Sequence, residues 1–140
     1  MYLLDTNVLS ELRGNKPQQS EQVRLWAAGV SMPLLFLSSI TLLELERGVL
    51  ALERRTPPQG AAIRQWLDAV RTTFQGRILP FGEEAALLCA PMHVPDRAPL
   101  ADSMIAATAL AHGLIVVTRN EANFTPCGVK TLNPWNARQP

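Results

Sequence analysis

Five short runs with strand character punctuate the chain: Tyr2-Leu3-Leu4, Leu34-Leu35-Phe36-Leu37-Ser38, Arg77-Ile78-Leu79-Pro80-Phe81, Leu114-Ile115-Val116-Val117-Thr118 and residues 129–132. Between them the apolar residues follow helical spacing: Val23, Trp26 and Ala27, then Leu42, Leu45, Val49 and Leu52 from Thr41 onward, then Ile63, Trp66, Leu67, Val70 and Phe74. Residues 83–89 and the alanine-rich stretch 100–112, stopped by Gly113, complete the series. Strands alternating with helices demand an α/β fold, a mainly parallel sheet flanked by helices on both faces. Ligands of such sheets bind at the carboxyl ends of the strands.

The first of those ends is Asp5-Thr6-Asn7, three capping residues ahead of Val8-Leu9-Ser10-Glu11-Leu12-Arg13. A polar stretch, 14–20, precedes the second helix, and Arg54-Arg55-Thr56-Pro57-Pro58 breaks the third. Residues 92–99 read as an irregular, proline-rich loop. No repeat, linker or low-complexity tract interrupts the 140 residues, so one domain over 1–140 is expected.

Composition excludes several classes. No apolar run approaches the ~20 residues of a membrane span, and the first residues lack the features of a signal peptide, so a cytoplasmic protein is expected. Cys89 and Cys127 are too few and too distant for a disulfide framework or a zinc motif, and read as reduced thiols. A net charge of +1 decides nothing about nucleic acid, which needs a basic patch rather than a basic total.

Three acids carry the chemistry. Asp5 lies at the end of the first strand, although an Asp before a helix is also an ordinary N-cap. Glu44 borders the core stripe of its helix, and a first-turn Glu is favoured by the helix dipole. Asp102 heads the stripe formed by Ile105, Ala106 and Ala109, so its charge requires a metal, an arginine or the amides of its own helix. Thr118, Asn120 and Asn123 follow the strongest strand and lie beside Asp5 if the sheet is parallel, unless the asparagines only shape a turn. Like charges converging this way require cations, and oxygen-only donors favour Mg²⁺ or Mn²⁺. Such an ion serves phosphodiester hydrolysis. His93, in the proline-rich loop, and His112, in a last helical turn, have bland explanations.

Residues 4–12 resemble the opening motif of PIN-domain nucleases, and Ser39-Ile40-Thr41-Leu42-Leu43-Glu44-Leu45-Glu46-Arg47-Gly48 resembles their second motif. Leu100-Ala101-Asp102-Ser103-Met104-Ile105-Ala106-Ala107 is similar to the third, and Val117-Thr118-Arg119-Asn120 with Leu132-Asn133-Pro134-Trp135 resembles the end of the VapC-like, FitB-related branch. The resemblance implies a PIN fold, an acidic pocket for Mg²⁺ or Mn²⁺ and endonucleolytic cleavage of RNA. It also implies a homodimer and a cognate VapB-like antitoxin that binds operator DNA. Carried over by position, Asp5, Glu44 and Asp102 are the acidic ligands, Thr6 and Thr118 hydroxyl supports, Asn7 a turn former, and Arg47 and Arg119 candidate phosphate contacts. Arg47 could instead pair with Glu44 at i+3.

One departure bears on activity. This branch carries an Asp at the slot of Asn123 and the wider family often one at the slot of Asn120, whereas this chain has Asn at both. An amide ligates a hard cation without adding charge, which implies a weaker second metal site. The alternative is therefore a catalytically weak or inactive chain that serves as antitoxin-binding partner in operator DNA regulation. A phospho-accepting receiver domain would want a paired acid at the first strand and a well-placed late lysine, and Lys130 is poorly placed. A dinucleotide-binding module would want glycines where Asp5-Thr6-Asn7 stands.

Overall fold

The computed structural model of the chain describes residues 1–14 and 16–136. Its strands are β1 (Tyr2–Leu4), β2 (Leu35–Ser38), β3 (Ile78–Leu79), β4 (Ile115–Val117) and β5 (Thr131–Leu132). The helices are α1 (Thr6–Glu11), α2 (Glu21–Ala28), α3 (Ser39–Arg55), α4 (Pro57–Thr73), α5 (Glu83–Cys89), α6 (Leu100–His112) and α7 (Glu121–Phe124). Every strand pair is parallel, in the order β3-β2-β1-β4-β5. From β1 the chain builds outward to β3, then returns to the other side of β1 for β4 and β5. The order reverses between β1 and β4, and that reversal opens a crevice at their carboxyl ends.

Alternation along the strands divides the core in two. Leu4, Leu35, Leu37 and Val117 pack with Val8, Val23, Leu45, Val49, Leu67 and Val70 from α1 to α4. Leu3 and Val116 pack on the other face with Ile105, Ala106, Ala109 and Phe124 from α6 and α7. Leu3, Leu4, Val116 and Val117 are wholly buried, which is why these strands read as continuous apolar runs rather than alternating ones.

Several boundaries differ from the sequence reading, each for a local reason. The run 34–38 yields a strand only from Leu35, because Met32–Leu34 form a 3-10 turn with Pro33 near its start. Thr56-Pro57-Pro58 does end α3, but the two prolines open α4, where a missing N–H costs nothing. α3 begins at Ser39, two residues earlier than its apolar spacing indicated, because the Ser38 hydroxyl caps the Ile40 amide at 3.0 Å. α7 and the 3-10 turn Thr125–Cys127 lie where only a turn was expected. Within the polar stretch 14–20, of which Asn15 lies outside the described residues, Glu11 is the anchor. Its buried carboxylate accepts the Ser20 amide at 2.7 Å and pairs with Lys16, and the Lys16 hydrogen bond and the Ser20 amide hold its pKa low.

α3 and α4 form a hairpin in which Gly60 packs tightly against the backbone of Glu53. A Cβ there would stand 2.5 Å from Glu53 Cα and 2.7 Å from Glu53 N, so only glycine fits the crossing. Beside it Arg64 of α4 bridges Glu46 at 2.6 Å and Glu53 at 2.9 Å on α3. These pairs are partly exposed and add little, so the backbone contact dominates. Gly60→Ala is expected to destabilise the fold by ~1–3 kcal/mol although alanine is the better helix former. Urea unfolding checks this, and a midpoint equal to or above the parent's refutes the close approach.

Candidate active site

Asp5 and Thr118 are the first residues beyond the paired ends of β1 and β4. Leu4 is in register with Val117, and the Asp5 amide donates to Val117 O at 2.9 Å. Their side chains meet in the crevice, where the Thr118 hydroxyl donates to Asp5 Oδ2 at 2.8 Å. Asp5 Oδ1 accepts the Thr6 amide at 2.8 Å, so the carboxylate is both the α1 cap and a crevice group. Asn7 does more than shape the turn. Its Nδ2 donates to Asp5 Oδ2 at 3.2 Å, and its Oδ1 accepts the Arg119 amide at 3.2 Å, tying the loop after β1 to the loop after β4.

Glu44 and Asp102 reach the same crevice from two helices. With α3 starting at Ser39, Glu44 lies beyond the first turn, where the helix dipole gives it little support. The Thr6 hydroxyl donates to its Oε1 at 2.8 Å. Asp102 sits in the first turn of α6 and is half-buried, above the fully buried Ile105, Ala106 and Ala109. Its Oδ2 accepts the Asn123 side-chain amide at 3.0 Å, a partner absent from the options weighed for it in the sequence. The amide of Asn120 donates to Thr118 Oγ1 at 3.0 Å while the residue itself is exposed. The loop and α7 thus bring Asn123 to Asp102 by its side chain and Asn120 to Thr118 by its backbone.

Burial pushes the Asp5 pKa from 3.8 up to about 6, against the lowering effect of the Thr118 and Thr6 hydrogen bonds, and the charges of Asp102 and Glu44 add to the rise. Among the described residues the paired cations, Lys16 and Arg64, serve Glu11, Glu46 and Glu53 rather than these three acids. Hard oxygen donors with uncompensated negative charge suit a divalent cation. Among the described residues, however, no three His, Cys, Asp or Glu side chains are gathered closely enough to enclose an ion. Among the described residues the Thr6 hydroxyl bonds one oxygen of Glu44 and the Asn123 amide one oxygen of Asp102, which leaves the second oxygen of each carboxylate for an ion.

Of the two arginines, Arg119 has an aromatic partner. The Arg119 guanidinium lies 5.0 Å over the Trp135 ring, and its carbonyl accepts Asn133 Nδ2 at 3.4 Å. Arg47 is exposed, and the pairing with Glu44 is not among the ion pairs of the described residues. Both cysteines are free. What the sequence hid was Asn7 as a bridge, since no local pattern couples residue 7 to residue 119.

The raised Asp5 pKa makes a stability statement. A carboxyl whose folded value exceeds its unfolded value favours folding when protonated, so its contribution is full below pH ~4 and lost as pH rises through 6. The shift of about two units corresponds to about 3 kcal/mol. In EDTA the parent should therefore gain stability between pH 7 and pH 5 relative to Asp5→Asn, measured by urea unfolding at both values. Equal pH dependence of the two proteins would show that Asp5 ionises without penalty.

The PIN domain family model matches residues 2–125. Toxin FitB of Neisseria gonorrhoeae (strain ATCC 700825 / FA 1090) is 37% identical over 142 residues, covering 97% of this chain and 99% of its own. VapC ribonuclease Y4jK of Sinorhizobium fredii (strain NBRC 101917 / NGR234) is 36% identical over 143 residues, covering 96% and 98%. The crystal structure of FitAcB from Neisseria gonorrhoeae superposes with a TM-score of 0.89 at 36% identity, covering 98% of this chain and 100% of that one. The sheet order, the Asp5 carboxylate at the β1/β4 crevice, the family model over residues 2–125 and this likeness over nearly the whole length agree, and the chain belongs to the PIN domain family.

Proposed function

We propose that this chain is a divalent-metal-dependent endoribonuclease and the toxin half of a toxin–antitoxin pair, a single PIN domain over 1–140 acting in the cytoplasm. The observation that carries the reading is the buried Asp5 carboxylate at the β1/β4 crevice, facing the charges of Glu44 and Asp102. Relatives named toxin and VapC ribonuclease support the activity. Among the described residues no helix is long and apolar enough to cross a membrane.

Asp5, Glu44 and Asp102 would hold Mg²⁺ or Mn²⁺. The chemistry such an ion supplies when bound is Lewis acidity toward water and the phosphodiester oxygens. The chain's own residues do the rest. Asp5 gives up its proton on binding, so affinity falls as pH drops below about 6. Thr118 and Asn7 hold the Asp5 carboxylate in one orientation, and Thr6 does the same for Glu44. Arg119, steadied on Trp135, presents its guanidinium to a phosphate, and Arg47 an exposed one. Asn120 and Asn123 stand at the rim as uncharged oxygen donors.

The reading includes a homodimer and a VapB-like antitoxin, with operator DNA contacted only through the antitoxin. Its support is the likeness to FitAcB and to FitAB bound to IR36 DNA fragment, the latter with a TM-score of 0.89 at 33% identity. Exposed Leu43 and Leu50, one face of α3, are apolar surface of the kind that such contacts cover.

A second reading, an inactive antitoxin-binding partner, is favoured by one contact, the neutral Asn123 amide on Asp102. Purified protein incubated with total bacterial RNA in Mn²⁺, Mg²⁺ or EDTA separates the two. Discrete fragments that vanish with EDTA and with Asp5→Ala are expected, whereas intact RNA in ample Mn²⁺ with folded protein favours the inactive partner. Asn123→Asp should tighten Mn²⁺ binding about tenfold and raise cleavage, because a fourth charge replaces an amide donor. Unchanged Mn²⁺ affinity in that variant, read by calorimetry, removes Asn123 from the site.

A further inference from the structure

His93 and Ser103 belong to a polar cluster beside α6 that the acidic crevice does not use. His93 Nδ1 accepts the Ala98 amide at 3.3 Å, which leaves the ring proton on Nε2. Nε2 faces Ser103 Oγ at 2.8 Å, and that hydroxyl donates onward to Leu100 O at 2.7 Å. The Cys89 thiol donates to the same Oγ at 3.5 Å. One neutral imidazole therefore grips residue 98, on the loop entering α6, and residue 103, in its first turns. Asp102 lies between the two grips.

The clasp stands where a cap is missing. Pro99 occupies the N-cap position of α6 and offers no side-chain acceptor, so the leading amides lack the usual restraint. Ser103 is fully buried, and water does not compete for its hydroxyl. A soft metal between Cys89 Sγ and His93 Nε2, 3.9 Å apart, would need the Nε2 lone pair, which the Ala98 bond has assigned to a proton.

We propose that His93 is a positioning residue which, through Ala98 and Ser103, sets the first turn of α6 and so aims the Asp102 carboxylate toward Asp5. The inference rests on Asp102 being an ion ligand, and the test separates the two. Mn²⁺ affinity of the full chain is measured by electron paramagnetic resonance for the parent, His93→Ala, Ser103→Ala and the double variant. Amide hydrogen exchange at Ala98 and Ser103 is followed in EDTA.

Each single variant should weaken Mn²⁺ binding about tenfold, and the double variant no further, because the two side chains act as one link. Exchange at Ala98 and Ser103 should quicken about tenfold in His93→Ala, and imidazole ¹⁵N shifts of the parent should show a bare Nδ1 and a protonated Nε2. A lower melting temperature with Mn²⁺ affinity unchanged overturns the proposal, since that is what a purely structural histidine would give. A parent that binds no Mn²⁺ refutes the ligand reading instead, and the clasp is then judged by exchange: unchanged rates at Ala98 and Ser103 overturn it. Ser103→Ala, which removes one link only, carries the same expectations if His93→Ala does not fold.

Discussion

The parallel pairing of β1 with β4 is the constraint on which the rest of the structure depends. It joins residues more than a hundred positions apart and ends with the Asp5 amide on Val117 O. Once that register is set, the next residue of each strand must share the crevice. A carboxylate and a hydroxyl occupy those places, and their hydrogen bond repays part of the cost of burying Asp5.

Electrostatics then separates two kinds of acid in this chain. Glu11, Glu46 and Glu53 have cationic partners, and their work is to hold a loop and a helix hairpin. Among the described residues the hydrogen bonds to Asp5, Glu44 and Asp102 come from neutral donors: Thr118, Asn7 and the Thr6 amide to Asp5, the Thr6 hydroxyl to Glu44, and Asn123 to Asp102. Neutral donors orient a carboxylate without cancelling its charge, so the crevice retains a field that attracts a cation. Glu44 and Asp102 come from separately packed helices, α3 and α6, anchored by Leu45 and Val49 on one face and by Ile105, Ala106 and Ala109 on the other.

The flank of α6 shows how precision is added to that arrangement. The helix begins after a proline with no side-chain cap, yet its first turn carries one of the three acids. The imidazole of His93 supplies both an acceptor and a donor at the right spacing, which an aliphatic residue cannot do.

Periodicity in the sequence determined the element order, the parallel α/β architecture and the ends of α5 and α6, because burial on one stripe or on two faces leaves a repeating signature in the residues themselves. It also pointed to Asp5 as the cap of α1 and to Asp102 in the first turn of α6, whereas Glu44 proved to lie beyond the first turn of α3. The prolines of α4 and the short helix α7 were less legible, since a breaker in one element can be the opener of the next and four residues carry no period. What only the tertiary structure decided is partnership. That Asn7 reaches Arg119, that Asn123 holds Asp102, that Glu53 requires a glycine at position 60 and that His93 clasps both sides of Asp102 are contacts across space. Hydrogen bonds and close packing depend on distances of a few tenths of an ångström, and no spacing along the chain encodes them.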